Sequence, residues 1–160
     1  RAYLKFSETA VVAPFEEGSA IMFRVASYKN NMLSEAEVNI TAAIEENIDG
    51  KLVSKFYQIE PTLKKINSFS LNWTLVHKID SNSPFYGFSE DDFKNTDIEL
   101  IIMIKAFDEV FANTVVQRTS YITPEIVYGA RFLQMYKTSE DNKTTILDLD
   151  KIDDYQVVKI

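Results

Sequence analysis

The segment AEVNITAAIEENIDGKLVSKFYQI, residues 36–59, constrains the fold more than any other stretch of the chain. Val38, Ile40 and Ala42 alternate with Glu37, Asn39 and Thr41, and a second alternating run follows Asp49-Gly50. Alternation of period two gives a strand one apolar and one polar face, and Asp-Gly readily adopts the positive φ angles of a two-residue hairpin turn. The pattern recurs. In AVVAPFEEGSAIMFRVASY the residues Glu16 to Gly18 separate two apolar runs, with Pro14 at a strand edge or end. FSLNWTLVHKI, NTVVQRTSYI and TTILDLDKI read as further strands. IELIIMIKAF, Ile98 to Phe107, is apolar on both faces and rich in β-branched residues, so it is expected to be central and buried. Helix is scarce. Ser89 with Asp92 three residues on predicts a capping box opening one short helix, SEDDFKN, and Thr123-Pro124-Glu125 a turn of a second. Short strands broken by turns every 8–12 residues or so predict a mainly β, two-sheet sandwich.

Composition bounds the rest. The 160 residues, 46% of them hydrophobic, suffice for one core, and only 4 Gly and 4 Pro leave no segment that reads as a linker. A single domain over residues 1–160 is therefore expected. The absence of cysteine removes disulfides, thiolate chemistry and the usual structural zinc sites. The net charge of −7 argues against nucleic acid as a partner. It is uneven: up to Lys65 there are 8 Lys and Arg against 9 Asp and Glu, and beyond it 9 against 15. No apolar run reaches the roughly 18 residues of a membrane span, and Arg at position 1 reads as the start of a fragment or processed product.

Catalytic constellations are hard to find. The one histidine, His77, lies in a strand-like apolar run, TLVHKI, where an imidazole is either a packed, hydrogen-bonded corner group or a functional one. No spacing brings it metal-ligating partners. Asp148, Asp150, Asp153 and Asp154 lack the turn glycine and closing glutamate of a calcium loop, and each glycine stands alone, so no phosphate-cradling loop exists. Phe107 and Phe111 flank Asp108-Glu109 where the most apolar strand ends, as core residues beside a charged turn or as part of a site.

Further motifs give the chain a family likeness. HKIDSNSPFYGF, from His77, resembles the H-x-I-D-x-x-S-P hallmark of the cytoplasmic domain of inward rectifier potassium channels. Phe6-Ser7, FRVA at Phe23 to Ala26, Glu35-Ala36, Arg118 with Tyr121, and Glu125-Ile126 before Tyr128-Gly129-Ala130-Arg131-Phe132 are similar to other motifs of that family, in the same order. DLDKIDDY is similar to its closing strand segment, Tyr128 stands where Trp is usual, and SLNWTLVH and DEVFANTV look closer to the prokaryotic branch. The resemblance spans practically the whole chain. It implies an immunoglobulin-like (E-set type) β-sandwich with one or two short helices, on the cytoplasmic face of the cell membrane. It also implies a homotetrameric ring joined to a membrane pore domain upstream. No enzyme activity and no cofactor are implied; potassium ions pass through the assembled pore.

The same resemblance implies roles. Glu35 matches a pore-lining glutamate, while Lys105 stands where strong rectifiers place an acid, and Lys65 falls near another such position; basic groups there weaken the cation-attracting field, so block by polyamines or Mg²⁺ is expected to be weak. Ala106, Phe107, Asp108, Glu109, Phe111 and Ala112 match the loop that narrows the cytoplasmic pore, with Ala106 in place of the customary Gly, which should stiffen it. Arg1 and Lys5 are placed near the membrane, where anionic lipid head groups attract basic side chains. His77, Asp80, Ser83 and Pro84 form a structural corner, with imidazole and carboxylate hydrogen-bonded inside it, and no metal is implied. A stand-alone immunoglobulin-like binding module without a pore would use the same strands.

Overall fold

The computed structural model describes residues 3–28, 32–68 and 72–160, so Arg1 lies outside the described residues. The alternating segments become, in chain order, β1 (Leu4–Phe6), β2 (Ala10–Phe15), β3 (Gly18–Ser27), β4 (Leu33–Ile48), β5 (Lys51–Ile59), β6 (Lys65–Ser68), β7 (Asn72–Ile79), β8 (Ile98–Asp108), β9 (Asn113–Ile122), β10 (Ile126–Tyr128), β11 (Ala130–Phe132), β12 (Tyr136–Thr138), β13 (Thr145–Leu147) and β14 (Tyr155–Val157). The helix α1 (Glu90–Asn95) lies between β7 and β8. Asp49 (φ 52°) and Gly50 (φ 82°) turn β4 into β5 with Ile48 opposite Lys51, as the Asp-Gly pair predicts. Ser89 caps α1 with a complete capping box: its Oγ accepts from the Asp92 amide, and the Asp92 carboxylate accepts from the Ser89 amide.

Two sheets pack face to face. In the first, β3 is flanked by β7 on one side and by β1 and β2 on the other, with β10 added parallel to β2. In the second, all antiparallel, β4 lies between β8 and the pair β5 and β6, and β9 closes the far edge. Ile21, Phe23, Val25 and Leu75 of the first sheet meet Val38, Ile40, Leu100, Ile102 and Ile104 of the second in one core, which makes the molecule a β-sandwich. These side chains sit at alternate positions, so the hydrophobic period of the sequence fixes which face of each strand turns inward.

The outer faces are unlike each other. Over the first sheet the segment from β11 to β14 forms a third layer, packing Ala130 on Val11 and Ala13, and Met135 and Ile152 on Ala26. Strand β3 is therefore covered on both faces. The expectation that β8 is buried on both faces is corrected: it is central between β4 and β9, but only Ile98, Leu100, Ile102, Ile104, Ala106 and Asp108 are buried, whereas Ile101 and Met103 are half-buried on the outer face. TTILDLDKI also breaks early. Only Thr145–Leu147 is strand; the Asp148 side chain accepts from the Asp150 amide and starts a 3-10 turn over Leu149–Lys151. For the same reason DLDKIDDY is mostly turn, and reaches strand only at Tyr155.

Candidate functional site

At one end of the second sheet β4 carries an extra residue. Ser34 lies opposite Phe107 and Glu37 opposite Lys105, so Glu35 and Ala36 together span the single residue Ala106. Glu35 adopts φ 50°, a left-handed conformation that costs an L-residue on the order of 1–2 kcal/mol, and its side chain is exposed. Ala36 and Ala106 turn into the core. Lys105 is exposed, and Glu37 has Lys105 on one neighbouring strand and Lys65 on the other; Lys65 Nζ lies 3.7 Å from its carboxylate. Glu35 forms no ion pair among the described residues.

The segment from Ala106 to Ala112 is less of a loop than expected. Ala106, Phe107 and Asp108 are strand, paired with Val115, Thr114 and Asn113, and the turn is confined to 109–112. A register this regular leaves Ala106 no special backbone angle, so an alanine fits where a glycine's freedom is not needed. Ala112 alone in the turn has positive φ (53°). Phe107 is partly exposed, and Val110 (56%), Phe111 (62%) and Met32 (60%) project further into solvent. Glu109 donates its amide to the Met32 carbonyl (2.9 Å), which ties the turn to the chain entering β4. Asp108 does not line the surface: it is buried, and its Oδ1 accepts from the amides of Val110 (3.0 Å) and Phe111 (3.3 Å).

His77 sits where β7 leaves the first sheet. One ring nitrogen, Nδ1, lies 2.8 Å from the Glu60 carbonyl and the other, Nε2, 2.8 Å from Ser83 Oγ. A carbonyl only accepts, so Nδ1 carries the proton and Nε2 accepts from the serine hydroxyl. Burial pushes the imidazole pKa below its ordinary value, outweighing the raising effects of the Glu60 carbonyl and Asp80, and the ring is neutral. Ser83 Oγ also accepts from the Phe85 amide (3.1 Å), and Phe85 packs against Phe88 and Phe93. Asp80 takes part differently from the expectation: its carboxylate accepts from the Asn82 amide and its carbonyl from the Ser83 amide, and no bond to the imidazole forms. Pro84 lines the shallow pocket beside the ring. Lys5, on β1, reaches the Leu149 carbonyl at 3.5 Å. Among the described residues no three His, Asp or Glu side chains are grouped to hold a metal ion, and no helix is long and apolar enough to cross a membrane.

Arg24 is the residue whose role was hardest to foresee. Its guanidinium, buried on the outer face of β3, donates to the carbonyls of Leu133 (2.5 Å), Lys151 (2.6 Å), Ile152 (2.7 Å) and Asp154 (3.1 Å), and lies over the Phe132 ring. Desolvation lowers its pKa from the usual value, with Asp154 and Asp153 opposing the shift. The motifs around Ser7 and Tyr121 meet nearby: Arg24 donates its backbone amide to Ser7 Oγ, and Tyr121 donates its hydroxyl to the Ser7 carbonyl (2.7 Å). An arginine inside an apolar run, FRVA, was the one signal that a dense set of acceptors had to be near.

The chain belongs to the inward rectifier potassium channel C-terminal domain family, whose profile matches residues 4–160. It is 31% identical over 147 residues to the inward rectifier potassium channel Kirbac3.1 of Paramagnetospirillum magnetotacticum, covering 91% of this chain and 50% of that protein. It is 26% identical over 151 residues to the inward rectifier potassium channel irk-1 of Caenorhabditis elegans (91% and 28% covered). To the ATP-sensitive inward rectifier potassium channel 8 of Mus musculus it is 32% identical over 142 residues (86% and 34%). The chain thus spans half or less of the length of these relatives.

Proposed function

We propose that this chain is the cytoplasmic gating and conduction domain of an inward rectifier potassium channel, of immunoglobulin-like (E-set) type, four copies of which form a ring that extends a membrane pore. The observation that carries the reading is the gathering of Glu35, Lys105, Phe107 and Phe111 at one end of the second sheet, by a bulge whose strained backbone turns a carboxylate outward. In a fourfold ring those groups recur around one axis. Phe107 and Phe111 build an apolar constriction on the segment that also holds Ala106, Asp108, Glu109 and Ala112, and opening draws the four turns apart. The half-buried Ile101 and Met103 on the outer face favour assembly with further copies. Lys105 and Lys65 offset Glu35 and Glu37, so internal polyamines block weakly. Arg1 and Lys5 approach anionic lipid, while His77, Asp80, Ser83 and Pro84 act as a structural corner without chemistry of their own.

The test is potassium flux through the full-length parent protein in liposomes. Phe107→Ala and Phe111→Ala are expected to raise basal flux, and spermine on the inner side to inhibit the parent only weakly. Unchanged flux in both variants would remove the constriction, and strong voltage-dependent spermine block would remove the charge argument.

A further inference from the structure

Asp108 is a carboxylate 2% exposed that forms no ion pair among the described residues. Burying a charged group is costly unless hydrogen bonds replace its water. Both bonds that replace it come from the turn itself: the amides of Val110 and Phe111 donate to the same oxygen, Oδ1, from above. Aspartates commonly close such turns, but usually from the surface. Here the acceptor lies beneath, inside the sandwich at the end of β8, opposite Leu33. The residues it holds are the ones that project: Val110 and Phe111 on the turn, with Met32 alongside through the Glu109 amide. A turn anchored from below by a buried polar group cannot bury its apolar side chains by folding down onto the sheet.

We infer that Asp108 is the positioning residue of an apolar crown made by Phe107, Val110, Phe111 and Met32, acting through Oδ1 as an acceptor and not through its charge. This rests on the constriction reading above and adds two members, Val110 and Met32, to it. Asparagine keeps a carbonyl oxygen where Oδ1 stands; alanine removes it. In the full-length parent protein, reconstituted in phosphatidylethanolamine–phosphatidylglycerol liposomes, Asp108→Ala is expected to raise basal potassium flux roughly tenfold, the factor that about 1.4 kcal/mol carries. Asp108→Asn is expected to return the flux to the parent's level. Ile104→Val, a core change, serves as a control for stability, since it lowers the melting temperature without touching the turn. Should Asp108→Ala not assemble, Asp108→Ser, with a shorter acceptor, is expected to fall between alanine and asparagine.

Equal leak in the alanine and asparagine variants would mean that charge matters and not the acceptor, and equal leak in Ile104→Val would mean general destabilisation; each overturns the inference. So does parental flux in Asp108→Ala, or in the serine variant where that replaces it. If Phe107→Ala and Phe111→Ala leak while Asp108→Ala does not, the constriction survives and the positioning role does not. If neither phenylalanine variant leaks, both fall.

Discussion

Replacing Arg24 by methionine keeps most of the side chain's apolar volume and deletes the guanidinium that holds the third layer onto β3. Four carbonyls, those of Leu133, Lys151, Ile152 and Asp154, lose their donor. Hydrogen bonds to a charged group contribute roughly 1.5–3 kcal/mol each, so four amount to about 6–12 kcal/mol. One guanidinium makes all four, and bonds that share a group do not add, so this sum is an upper bound. Removing one partner from a buried charged network usually costs about 3–5 kcal/mol. With a urea m-value of about 2 kcal/mol/M, the unfolding midpoint should fall by about 2 M. Trp73, the chain's one tryptophan, lies in the core and reports the transition by fluorescence. Limited proteolysis under native conditions should in addition cut between residues 133 and 154 far faster in the variant. Arg24→Lys, which cannot reproduce the planar fork, should recover less than half of the loss. A midpoint shift under about 0.5 M with unchanged proteolysis would refute the claim that these bonds hold the layer in place.

Two further outcomes follow from particular contacts. Because burial lowers the pKa of His77, the unfolded chain binds its proton first as pH falls; stability is full above the ordinary histidine pKa of about 6.5 and declines below it, toward the lower folded value. His77 is the only histidine, so the loss in urea midpoint between pH 7.5 and 5.5 should shrink in His77→Gln, and a slope identical to the parent's would contradict the buried, neutral ring. At Gly129, φ is 78° and an added Cβ would lie 2.9 Å from the Val158 carbonyl, whereas at Gly18 the nearest atom is 4.0 Å away. Gly129→Ala should lower Tm by about 5 °C, at roughly 2–4 °C per kcal/mol for a chain of this size, with Gly18→Ala close to neutral; equal melting temperatures would refute the difference.

What could be read from the sequence was local. The Asp49-Gly50 hairpin, the Ser89–Asp92 capping box and the 3-10 turn at Thr123–Glu125 depend on residues a few positions apart, and each formed as its residues dictate. Family motifs supplied the candidate positions Glu35, Lys105, Phe107 and Phe111, which the fold brings to one end of a sheet. The depth of β8 was misjudged because an apolar outer face looks the same in sequence whether this chain covers it or something else does. Arg24 was recognised only as part of a motif, since its partners lie 109 to 130 residues away. Asp108 gave no sign of burial, because an aspartate before a turn is equally common in water.

The extra residue in β4 has an arithmetic consequence. Along a strand, inside and outside alternate like parity, and one inserted position changes odd to even. With Glu35 and Ala36 both spanning Ala106, Leu33 points inward beside Asp108; with strict alternation it would point to water. A gene that lost the single codon for Glu35 would therefore lose an acid and the bulge together: Ser34, facing outward, would run directly into the inward Ala36, and Leu33 would keep its place in the core. A deletion at this position stays in phase with the strand, whereas the loss of one residue from the regular stretch Val38 to Ile44 would turn every position on one side of it to the opposite face.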